Sequence, residues 1–225
     1  MPDRVSTLGQ NQGHVIIEGA SQQNKLLITF AYINQPLGTR FHSSFLKSTD
    51  CKKLFLNPGT NAWYQTGVPG VASNFSELIA FVRGFTVAFP DHEILCLGHS
   101  MGAFAALGVG VSIGADRILV SVPECVLNLP GSLSTRYLGD TKIDCGDLTA
   151  ILSGNRKSAI SIIVGTQTAF DLKVARQIEQ FPLTSVIELN CRHETFPYLR
   201  DTGKLAPVLE AFVDGTPIRP LLEGL

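Results

Sequence analysis

The sequence predicts an α/β fold, a mostly parallel central sheet of about seven strands flanked by helices. Two patterns predict it: short runs of β-branched and aliphatic residues recur along the chain, and longer amphipathic segments separate them. A third observation limits the domain count, since 225 residues with 44% hydrophobic content fill one sizeable core without a second domain. Residues 1–13, MPDRVSTLGQNQG, read as a flexible leader and residues 14–225 as the single domain.

The candidate strands are Val15 to Glu18, Leu26 to Ala31, Lys53 to Asn57, Glu93 to Gly98, Arg117 to Val122, Ala159 to Gly165 and Ser185 to Asn190, each apolar enough for burial on two sides. Between them Ser73 to Phe89 reads as a helix capped by Ser73 or Asn74. Met101 to Gly114 is an Ala- and Gly-rich helix able to approach the sheet closely, Leu172 to Phe181 is a third, and Lys204 to Val213 closes the chain. Pro and Gly cluster at Asn57 to Gly70 and Pro123 to Gly139, which read as long loops that shape a site. Asp140 to Asn155 has room for one short helix in place of a large lid domain.

Eighteen basic against nineteen acidic residues give a net charge of −1, with no run of like charges. Nucleic acid and anionic membranes are therefore poor partners, and a small or neutral ligand is expected. Every apolar run is broken well short of the roughly 20 residues that span a bilayer, and the leader has no apolar signal region. Cys51, Cys96, Cys125, Cys145 and Cys191 are odd in number and widely spaced, against a disulfide framework or zinc site and for a reducing cytoplasm. No cofactor or metal is expected.

The chemistry is concentrated in EILCLGHSMGAFAALGVG, where Gly98-His99-Ser100-Met101-Gly102 joins an apolar strand to a small-residue helix. A G-x-S-x-G turn needs glycine on both flanks because strand and helix crowd together there, and it lifts Ser100 out of the sheet as a nucleophile. The Met101 N–H at the helix start then faces the oxyanion formed when Ser100 attacks a carbonyl. A plain strand-to-helix turn capped by Ser100 is the competing reading.

Serine needs an imidazole to take its proton. His193, after the last candidate strand in SVIELNCRHETF, occupies the place of the base in the order Ser, acid, His. His14 lies in the leader, His42 in an early loop, His92 at the opposite sheet edge, and His99 points away from its neighbour Ser100. Asp171, across the loop TQTAF from the strand AISIIVG, is the favoured acid; Glu124 is the alternative at the end of the preceding strand, and Asp144 and Asp147 resemble a turn and a cap. The second oxyanion donor is expected from the N–H of Ala31 or Tyr32 after the second strand. Trp63 and Tyr64, with His99, are candidates to line an acyl or sugar pocket, core packing being the alternative for the aromatic pair.

At these residues the chain resembles the α/β-hydrolase superfamily and, more narrowly, small bacterial hydrolase-fold proteins associated with capsule or other surface-polysaccharide genes. The likeness runs through LLITFAYIN, KLFLN with NAWYQTGVPG, the elbow GHSMGAFAALGVGVSIGADRIL, and HETFPYLRDTGKLAPVL. It implies Ser100 as nucleophile, His193 as base and Asp171 as acid, acting on a carboxylic ester, an acylated carbohydrate or an acyl thioester. One departure stands out: the related acid commonly sits nearer the glycine ending its strand, where this chain has Thr166, Gln167 and Thr168. A non-catalytic binding or assembly protein in polysaccharide synthesis, and a transacylase, are the rival expectations.

Overall fold

A computed structural model of the chain describes residues 13–20, 22–41 and 44–225, so the leader up to residue 12 and His42 lie outside the described residues. The seven strands are β1 (Val15–Glu18), β2 (Lys25–Phe30), β3 (Lys52–Leu56), β4 (Glu93–His99), β5 (Arg117–Ser121), β6 (Ala159–Gly165) and β7 (Thr184–Leu189). They form one sheet in the order β1-β3-β2-β4-β5-β6-β7. Only β1 runs antiparallel, against β3.

Alternation within each strand feeds two cores. Leu26, Ile28 and Phe30 of β2 pack on one face with Cys96, Ile118 and Ile162, while Leu27, Leu95, Leu97 and Leu119 face the other. The first face is covered by α1 (Phe75–Thr86), α2 (Met101–Ile113) and α5 (Ala169–Ile178). The second is covered by α6 (Thr195–Asp201), α7 (Leu205–Asp214) and α8 (Arg219–Leu222). Burial on both faces is what makes the strand sequences almost continuously apolar. Two short helices, α3 (Ser134–Tyr137) and α4 (Thr149–Ser153), sit in the long excursion between β5 and β6.

Three expectations shift. The third long helix begins at Ala169 rather than Leu172, which moves Asp171 from the expected helix start into the first turn of α5, with Thr168 at the cap. Helix α6 is not among the expected helices; its Pro197 falls within the first turn, where a missing N–H has no intrahelical partner to lose. The loop Pro123 to Gly139 contains α3. At α1, Asn74 is the cap: its side chain accepts the Glu77 N–H at 2.8 Å, while Glu77 returns to the Ser73 N–H at 2.9 Å. No described helix is long and apolar enough to cross a membrane.

The register matters for the site. Phe30 pairs with Gly98, His99 with Ser121, and Gly165 with Leu189, so the C-terminal ends of β2, β4, β5, β6 and β7 lie along one sheet edge. In an open parallel sheet this is the edge where loops from separate strands converge.

Candidate active site

Ser100 bridges β4 and α2 with φ 52° and ψ −116°, a backbone conformation that disfavours any side chain. A Cβ on Gly98 would lie 2.2 Å from the Gly102 carbonyl oxygen, and one on Gly102 would lie 2.3 Å from the Phe30 carbonyl oxygen. The two glycines therefore permit the strand-to-helix approach and seat the elbow against the end of β2. The Ser100 N–H donates to the Ser121 carbonyl at 2.9 Å, fixing the turn on the neighbouring strand.

Three side chains meet at this point. The Ser100 hydroxyl donates to His193 Nε2 at 3.1 Å, and His193 Nδ1–H donates to Asp171 Oδ2 at 2.7 Å. Asp171 is 7% exposed, whereas the His193 side chain is 23% exposed and open to a ligand. Gly165 explains how the loops that carry Asp171 and His193 come so close: a Cβ there would lie 2.1 Å from the Arg192 carbonyl oxygen. The Thr166-Gln167-Thr168 departure also acquires a purpose. The Thr166 N–H donates to Leu189 and the Gln167 N–H to Cys191, at 2.9 and 3.0 Å, so this stretch stitches the two loops together and delivers the acid one helical turn later.

Of the expected oxyanion donors, Ala31 is already committed. Its N–H donates to the Leu56 carbonyl at 3.0 Å, because β2 and β3 keep pairing one residue beyond the regular strand. Tyr32 and Met101 remain, and neither N–H has a partner among the described residues. A cleft of about 290 Å³ lined by Tyr32, Gln35, Leu37 and Thr60 lies beside the β2 loop. A second, of about 260 Å³, has His193 and Asp171 in its wall with Val122, Glu124, Arg136 and Phe170.

Trp63 and Tyr64 are 0% exposed and belong to the core, so neither lines a described cleft. The reason is polar as well as apolar: the Tyr64 hydroxyl is spent on the Ala31 and Leu56 carbonyls, at 3.2 and 3.0 Å. Burial pushes its ionisation far above the ordinary phenol value. His99 stays near the site, stacked on Phe196 with ring centroids 5.5 Å apart, tilted against His193 at 5.7 Å, and bonded through Nδ1 to the Ser121 hydroxyl at 3.1 Å.

Gln65 was not singled out by the sequence, yet it binds two loops. Its amide donates to the Trp63 and Cys145 carbonyls, and its oxygen accepts the Asp144 and Cys145 N–H groups. Glu124 is not bonded to His193: its carboxylate accepts the Ser134 N–H at 3.0 Å and the Ser134 hydroxyl. Asp144 accepts the Ser76 N–H at 2.7 Å, a long-range bond to the first turn of α1 rather than the turn role expected, and Asp147 accepts the Thr149 N–H at 2.7 Å although Leu148, not Asp147, holds the cap position of α4. His14 bonds the Asn57 carbonyl at 2.8 Å, and His92 packs edge-on against Phe89. Among the described residues no three His, Cys, Asp or Glu side chains are grouped to hold a metal ion. All five cysteines are free, and burial raises the Cys96 and Cys125 thiols, the latter to about 11, so both stay protonated at neutral pH.

No protein-family model and no curated protein matches the chain in sequence. Solved structures do match in shape. The capsule O-acetyltransferase of Neisseria meningitidis serogroup A superposes with a TM-score of 0.64 at 13% identity, over 89% of this chain and 90% of that one. The Paleococcus ferrophilus monoacylglycerol lipase gives 0.60 at 12% identity over 90% and 98%. MGS-MChE2, an α/β-hydrolase enzyme from the metagenome of lagoon sediments of Mar Chica, Morocco, gives 0.56 at 14% identity over 84% and 93%.

Proposed function

The chain has the α/β-hydrolase fold, and on that footing we propose that it is a serine enzyme of acyl transfer to water, cleaving a carboxylic ester or acyl thioester. The observation that carries this reading is His193, one imidazole bonded at once to the Ser100 hydroxyl and the buried Asp171 carboxylate. Asp171 holds Nδ1 protonated, leaving Nε2 as the acceptor that faces Ser100.

In the reaction Ser100 Oγ attacks the acyl carbon as its proton passes to His193 Nε2, and the carbonyl electrons move onto oxygen. The Met101 and Tyr32 N–H groups are the donors for that oxyanion. The intermediate collapses to a Ser100 acyl ester, and the imidazolium gives its proton to the departing alcohol or thiol. Water then attacks the acyl-enzyme with His193 again as base, releasing the acid and restoring Ser100. The chain's own groups supply every proton transfer in this scheme.

A second reading is favoured by the fold match to a capsule O-acetyltransferase: an alcohol, including a carbohydrate hydroxyl, takes the place of water. Both readings share the acyl-enzyme. The test is labelling by a fluorophosphonate together with turnover of a p-nitrophenyl ester series. Labelling at Ser100, lost in Ser100→Ala along with turnover, supports the enzyme. A folded protein that gives neither adduct nor turnover overturns it in favour of a non-catalytic binding protein. An added alcohol that diverts the acyl group from water identifies the transferase.

A further inference from the structure

We propose that Glu124 is a positioning residue for His193, a second buried anion that stabilises the imidazolium formed when Ser100 gives up its proton. This rests on the reading of Ser100, His193 and Asp171 as one proton-transfer chain.

Glu124 lies in the wall of the same cleft as His193 and Asp171 and is 6% exposed. Three other charged groups line that cleft: Asp171 from α5, Arg136 from α3, and Glu194 next to His193 in the chain. Asp171 is already bonded to Nδ1, and Arg136 and Glu194 are exposed, so water and salt screen their fields. A buried carboxylate is screened far less. Glu124 also has no ion pair among the described residues: its carboxylate is held by Ser134 and by the Leu133 backbone, neutral donors both. Burial without a counter-charge is costly unless something compensates, and an imidazolium that appears during each turnover is such a charge. Burial raises the Glu124 carboxyl above its ordinary value, while the hydrogen bonds from Ser134 and Leu133 and, least of these, the charge of His193 act in the opposite direction. One strained residue lies close by. Val122, two residues before Glu124, has φ 44°, a costly value for a β-branched residue and one that recurs where a chain is held for a task.

The test is the titration of the His193 ring by NMR, which requires no turnover. Glu124→Gln should move it to lower pH by about half a unit to one unit, the size expected of a buried charge that shares a cleft with the imidazole without bonding to it. The acid limb of kcat/KM on a p-nitrophenyl ester should move with it, kcat falling about threefold to tenfold while KM stays near the parent's. By reciprocity, His193→Gln should move the Glu124 carboxyl titration up by a matching amount, which reads the coupling even if Glu124→Gln does not fold. A His193 titration unmoved in folded Glu124→Gln, or a Glu124 titration unmoved in His193→Gln, overturns the proposal. If instead these shifts occur but no ester is ever cleaved, the coupling stands and the hydrolase reading fails.

Discussion

Replacing Gly165 by alanine, far from the surface and outside the proton-transfer chain, should disable the site by distance alone. The new methyl carbon would lie 2.1 Å from the Arg192 carbonyl oxygen and 2.5 Å from that of Cys191. Carbon and oxygen do not approach within about 3 Å without contact repulsion, so the loop leading to His193 must retreat by close to 1 Å. The Thr166 and Gln167 N–H bonds to Leu189 and Cys191, at 2.9 and 3.0 Å, must stretch with it. His193 is the next residue after Arg192, and its 2.7 Å bond to Asp171 and 3.1 Å bond to Ser100 have no slack of that size. A misplacement of about 1 Å is worth roughly a hundredfold in rate, and the overpacking about 1–3 kcal/mol in stability. The assay is kcat/KM on p-nitrophenyl acetate beside a urea melt. A folded Gly165→Ala protein within threefold of the parent's rate would refute the argument that this glycine sets the acid–base distance.

Asp171→Asn should leave the fold intact and cut kcat by about a thousandfold to ten-thousandfold, since an amide no longer fixes the imidazole tautomer; ester turnover with circular dichroism as control reads this. Gln65→Leu leaves the Asp144 and Cys145 N–H groups and the Trp63 carbonyl without their partner, and should cost about 2–4 kcal/mol in urea unfolding. Burial raises the Glu124 carboxyl, so the native chain keeps that proton to higher pH than the unfolded chain does. The stability this contributes is present in acid and is lost as pH rises through the folded value. Glu124→Gln cannot ionise, so its melting temperature relative to the parent should be higher at pH 8 than at pH 4; an equal difference at both would contradict this.

The inner strands were legible because β2, β4 and β5 are largely buried on two faces, which leaves little but apolar residues. Ser100 and His193 were legible because the turn chemistry around the nucleophile and the order of groups along the chain are local facts. What escaped the sequence depends on partners distant in the chain. Whether the Ala31 N–H is available depends on how β2 pairs with β3, and the pairing reaches Ala31, the last residue of the candidate strand, through the Leu56 carbonyl. Trp63 and Tyr64 take φ values of 46° and 60° and are fully buried, the core packing that stood beside pocket lining as the alternative and that no local pattern decides. Gln65 has no local signature at all, its role being set by residues 79 and 80 positions away.

The backbone at Ser100 has one last consequence. Its φ of 52° and ψ of −116° suit glycine better than any other residue, so the native state would be more stable with no side chain there. Selection for heat resistance alone should drift this codon toward glycine and yield a hardier, inert protein. On the proposed reading the hydroxyl is kept for its chemistry, against the preference of its own backbone.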